Sequence, residues 1–117
     1  MADEVSISIA FSFENQGEVI SRSVSFTSDV AGDAVIHGVQ EIGIGGEEVL
    51  VHGDVGTFGW VFLKNLDSTN FITAGFTGAH SIKLLAGEAC IFPANGADIY
   101  ALADTAAVDV EYIVVEL

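Results

Sequence analysis

A chain of 117 residues, half of them hydrophobic, has the size of one domain and can remove about two-thirds of its unfolded surface from water on folding. Seventeen acidic residues against Arg22, Lys64 and Lys83 give a formal charge of −14, a field that repels phosphate backbones and anionic lipid, so neither nucleic acid nor a membrane is expected as a partner. No apolar run approaches the ~20 residues that span a bilayer, the opening lacks a basic stretch followed by an apolar one, and the lone Cys90, set in the apolar run Ala89-Cys90-Ile91-Phe92, has no intrachain disulfide partner.

Period two dominates from the start. Val5, Ile7, Ile9, Phe11 and Phe13 alternate with Ser6, Ser8, Ala10 and Ser12, Asn15-Gln16-Gly17 supplies turn chemistry, and Ile20, Arg22, Val24 and Phe26 alternate with serines. This pattern predicts a hairpin. A strand over 34–44, weakened by Gly38 and Gly43, leads through Gly45-Gly46 to a short strand over 47–51 and a glycine-punctuated loop over 52–59. Strands then follow over 60–66, 71–76, 81–85, 88–93 and 99–102, and Val110, Tyr112 and Val114 close the chain against Asp109, Glu111 and Ile113. Asp104-Thr105-Ala106-Ala107 is the best helical candidate and is too short for more than a turn. The expectation is one all-β domain over 1–117, an antiparallel β-sandwich or jelly-roll of about eight to ten short strands, with 1–30 serving as an edge hairpin or an assembly arm.

Candidate chemistry is sparse. Asn65, Asp67, Ser68 and Asn70 gather between two aromatic-rich runs, but these residue types bond to nearby backbone and tolerate left-handed conformations, so a turn explains them without catalysis. His37, His52 and His80 lie 15 and 28 residues apart, outside the spacing of a local chelate, and the loop aspartates show no calcium-loop spacing. The segment GEACIFPANG, Gly87 to Gly96, resembles part of the second cupin motif, yet the histidine expected after Pro93 is absent and a strand ending at Pro93 explains it. GIGGEE lacks the lysine and following helix of a phosphate loop, and no Gly-x-Ser-x-Gly elbow occurs. No enzyme activity, cofactor or metal is expected.

The order of a glycine-led aromatic strand (GWVFLKNLD), an Asn-aromatic strand (NFITAG), a Leu-x-x-Gly-Glu turn (LLAGE), an ADTAA segment and a final EYIVVEL strand resembles small β-sandwich proteins among the virion components of tailed bacteriophages. The resemblance spans Val39 to Leu117. It implies a virion structural protein, made in the host cytoplasm and placed on the outer capsid surface as a head decoration or cement protein, or else a tail-associated component. Its implied partners are the major capsid protein or other virion proteins and further copies of itself, with a homotrimer expected. Val55 and Phe58 in the glycine-rich loop, and Asn65, Asp67 and Asn70 in the later turn, are the expected contact residues. The competing reading is a carbohydrate-binding sandwich using Trp60, Tyr100 and Tyr112 as an aromatic platform with Asn65, Asp67 and Asn70.

Overall fold

The computed structural model describes residues 5–30 and 32–117, and the chain divides into two compact units, Met1–Ala31 and Gly32–Leu117. The first unit holds β1 (Val5–Asn15) and β2 (Glu18–Ser28), paired antiparallel in a two-stranded sheet of their own. Gln16 and Gly17 connect them with φ of 50° and 86°. Two consecutive positive φ values give the turn a twist that matches the flanking strands, and glycine accepts the second at no steric cost. The hairpin predicted from the alternation is therefore present.

The second unit holds eight strands: β3 (Val35–Ile42), β4 (Glu48–Val49), β5 (Phe58–Asn65), β6 (Ile72–Phe76), β7 (Ala79–Leu84), β8 (Ala89–Gly96), β9 (Tyr100–Ala103) and β10 (Val108–Glu116). They form two four-stranded sheets in the orders β3-β10-β5-β8 and β4-β9-β6-β7, antiparallel throughout. Successive strands mostly cross between the sheets, which is the connectivity of an eight-stranded jelly-roll. All-β architecture with antiparallel sheets agrees with the sequence reading.

Alternation explains the core. On β5, Val61, Leu63 and Asn65 point inward, and β10 sends Val108, Val110, Tyr112 and Val114 to the same layer. Ile72, Ala74, Leu84, Ile99, Ala101 and Ala103 meet them from the second sheet, the small alanines leaving room for Phe58, Ile42 and Leu50.

Three local expectations change. Pro93 lies inside β8 instead of ending it, because β8 is the outer strand of its sheet, where a missing N–H costs no ladder bond. Opposite Pro93 the β5–β8 register shifts between Phe58 and Trp60. That irregularity lets Phe58 face the core out of phase with Val61 and Leu63, so the strand begins inside the predicted loop. The short strand expected over 47–51 contracts to Glu48–Val49, and Val51 N instead takes the Gln40 side-chain oxygen at 2.9 Å.

Candidate functional site

Asn65 sits at the end of β5, fully buried, and it is the one buried polar residue of the described core. Its Nδ2 donates to the carbonyls of Asn70 (2.9 Å) and Leu84 (3.1 Å), while its Oδ1 accepts from the Asp67 amide (2.8 Å). Its own backbone N–H donates to Glu88 O at 2.9 Å, and its carbonyl accepts from the Gly87 amide at 3.2 Å. One side chain thus ties the end of β5 to the following loop and to the end of β7. Asp67 completes that loop: its Oδ2 accepts from the amides of Thr69 (2.9 Å) and Asn70 (2.6 Å), which holds its carboxyl below the usual range. Asn70 Oδ1 accepts from Thr105 Oγ1 at 3.0 Å, and the Lys83 ammonium lies 4.3 Å from the Phe71 ring centroid.

These contacts correct part of the interface expectation. Val55, Phe58 and Asn65 are buried within the jelly-roll unit, their surfaces already used in its core, so none can present its side chain to a partner. Burial follows from the register shift at Phe58 and from the inward phase of Asn65. Asp67 and Asn70 lie on the loop with their oxygens engaged in holding it.

Other carboxylates are used in the same way. Glu47 accepts from the Gly78 amide (2.8 Å), from His80 Nε2 (2.7 Å) and from Thr77 Oγ1, and these donors lower its pKa, the threonine bond most. Glu116 Oε2 accepts from the Gly56 amide at 2.8 Å and is likewise lowered, chiefly by that bond. Glu48 takes the Gly43 amide at 2.6 Å and Glu88 takes the Leu85 amide at 2.8 Å. No helix occurs among the described residues, so loop amides lack a helical ladder, and four carboxylates besides that of Asp67, those of Glu47, Glu48, Glu88 and Glu116, accept from loop backbone instead of serving only as solubilising charge.

The histidines are also separately engaged. His37 Nε2 meets Glu111 at 2.8 Å, His52 Nδ1 donates to Val55 O at 2.7 Å, and His80 belongs to the Glu47 cluster. Among the described residues no group of three or more His, Cys, Asp or Glu side chains is arranged to hold a metal ion. The aromatic platform does not assemble either. Trp60 is on β5 and Tyr100 on β9, in different sheets, while Tyr112 is buried with its hydroxyl donating to Val51 O at 2.6 Å.

The hairpin has the opposite character. Its register places Ile9 beside Val24, Phe11 beside Arg22 and Phe13 beside Ile20 on one face, with serines dominating the other. Ile9 is 46% exposed, Phe11 61%, Phe13 44% and Ile20 52%. A single two-stranded ribbon is marginal in water without a third strand or a packed layer, and this one leaves those four large apolar side chains accessible to solvent. Serine between the large residues was the sequence signal for one apolar face, but only the register shows which residues share a layer. No protein-family model, curated protein or solved structure matches the chain.

Proposed function

We propose that this chain is a non-enzymatic virion structural protein, a head decoration or cement protein that binds the outer capsid shell in multiple copies and stabilises it. The observation that carries this reading is the apolar hairpin face, a pair of 11-residue strands that exposes Ile9, Phe11, Phe13 and Ile20, in a chain whose described buried side-chain polar atoms all have hydrogen-bond partners. A part made for assembly needs such a surface, whereas an enzyme needs unspent polar groups converging on a reacting atom. The resemblance of Val39 to Leu117 to phage virion sandwiches supports the same reading, with the capsid protein and further copies as partners.

Quantitative mass spectrometry of purified particles tests it. Copies on the order of hundreds per particle, in fixed ratio to the major shell protein, are expected for a decoration role. A few to a few dozen would move the protein to the tail, and absence from particles would overturn the virion reading.

A further inference from the structure

The hairpin face carries an order that a merely greasy surface would lack. On this face Ile7 pairs with Phe26 toward the base, with Ile7 only 4% exposed, and Asn15 pairs with Glu18 at the turn; the exposed apolar layers between them are Ile9 with Val24, Phe11 with Arg22, and Phe13 with Ile20. Val24 is 36% exposed, so every apolar member of these layers reaches solvent. Arg22 is the only cation of the strand pair, and Glu14 and Glu18 near the turn are its only acids. The jelly-roll unit, by contrast, carries twelve acidic residues against Lys64 and Lys83. Copies of so acidic a chain repel one another most through the acidic surface of the jelly-roll, whereas the two hairpin strands carry only Glu14, Glu18 and Arg22.

We propose that the apolar face of the hairpin docks against the same face of a second copy of this chain, with the two ribbons running in the same direction about a two-fold axis parallel to their strands. This arrangement lays β1 of one copy over β2 of the other. Ile9 then covers the second copy's Val24, Phe13 covers its Ile20, and Phe11 receives its Arg22, each contact occurring twice by symmetry. The guanidinium lies on an aromatic face, which attracts it, while its tip reaches solvent past the ribbon edge. Opposed ribbons centred on the same layer bring the two Arg22 side chains together, and like charges in contact disfavour that alternative. The register therefore selects one self-complementary packing.

The exposed side chains of the face offer on the order of 500 Å² per copy, so a pair buries about 1,000 Å², the lower end of specific interfaces, and the pairing is expected to be concentration-dependent. It does not depend on the virion reading, since purified chain alone decides it.

Sedimentation velocity on the full chain from about 1 to about 500 μM is the test, with circular dichroism and Trp60 fluorescence reporting folding. A concentration-dependent monomer–dimer equilibrium is expected. Phe11→Ser or Ile20→Ser should weaken it at least about tenfold, as should Arg22→Glu, while Val19→Ser on the opposite face should leave it within about twofold. A second measurement holds even if the serine variants disturb the hairpin. In a Cys90→Ala background, chains bearing Phe11→Cys and chains bearing Arg22→Cys should cross-link to each other under mild oxidation faster than either does to itself. A monomer at every concentration would overturn the proposal, as would dimerisation indifferent to Phe11, Ile20 and Arg22. Binding of the monomer to phosphatidylcholine vesicles through the same residues would assign the face to lipid and overturn it equally.

Discussion

Replacing Asn65 should unsettle the jelly-roll at the end of β5 and in the loop that its side chain holds. Asn65→Ala removes two donated bonds, to Asn70 O and Leu84 O, and one accepted from Asp67 N, all from a fully buried position. A net contribution of about 1 kcal/mol for each bond, with some further loss for the space left behind, gives about 3 to 4 kcal/mol. Domains of this size have about 5–15 kcal/mol in total, so the change consumes a large share. Urea unfolding followed by fluorescence of Trp60, the single tryptophan, should show the midpoint fall with an unchanged slope, and the melting temperature should drop by roughly 12 °C or more. Asn65→Asp sharpens the test because it keeps the shape and the acceptor for Asp67 N but turns both donors into oxygens facing carbonyl oxygens. At neutral pH it should cost at least as much as alanine. Burial and those carbonyls raise the pKa of the introduced carboxyl, so the defect should ease as pH falls and the neutral form is populated. A loss below about 1 kcal/mol for Asn65→Ala would show that solvent satisfies these groups and that the turn is ordinary.

Further outcomes follow from the same contacts. A Cβ on Gly59 would lie 2.8 Å from Val115 O and 3.1 Å from the Leu117 backbone, so Gly59→Ala should cost about 2 kcal/mol in urea unfolding, whereas Gly45→Ala, with open space around it, should stay within about 0.5 kcal/mol. Glu47 has its pKa lowered from the ordinary 4.5 by Thr77, Gly78 and His80, so its stabilisation is complete above that value and is lost as pH falls through the folded-state value. Melting temperatures of wild type and Glu47→Gln should therefore differ at pH 7 and converge in acid. Tyr112→Phe removes the bond to Val51 O and should cost about 1 kcal/mol at neutral pH. Burial raises the Tyr112 pKa above 10.0, so the folded state resists its ionisation and loses stability as pH rises past that value; the phenylalanine variant should show a weaker alkaline decline in melting temperature.

Much of the architecture was legible because period two is a direct image of a pleated strand. The hairpin, the strand count and the final strand follow from it, and the turn at Gln16-Gly17 follows from residue chemistry. Asn65 was legible in part: it continues the inward phase of Val61 and Leu63, and that parity marks it as buried although its composition marks it as turn. Phe58 was not legible, since its inward placement needs the register shift beside Gly59, and that shift is set by the close approach of Val115 and Leu117 from the far end of the chain. Two of the loop carboxylates were hidden for the same reason. Glu47 reaches Gly78, and Glu116 reaches Gly56, across distances along the chain that no local pattern records.

The acidic composition consequently has two physical consequences that pull together. Glu47, Asp67 and Glu116 satisfy loop amides in their ionised state, which lowers their pKa values, so acid should loosen the loops they hold before it reaches the core. The remaining charge disfavours contacts between identical chains through the acidic jelly-roll surface, whereas the hairpin strands carry only Glu14, Glu18 and Arg22. A hairpin with Phe11, Phe13, Ile9 and Ile20 exposed would be an aggregation hazard on a neutral protein. On a chain of charge −14 it becomes a directed contact, because repulsion elsewhere penalises every association that does not bury that face. Raising the salt concentration screens the repulsion, so it should tighten pairing through the hairpin face while also admitting contacts that ignore it. Sedimentation of wild type and Phe11→Ser from low to high salt separates these effects: the difference between them should be largest at low salt, and an equal response of both chains would show that charge does not direct the contact.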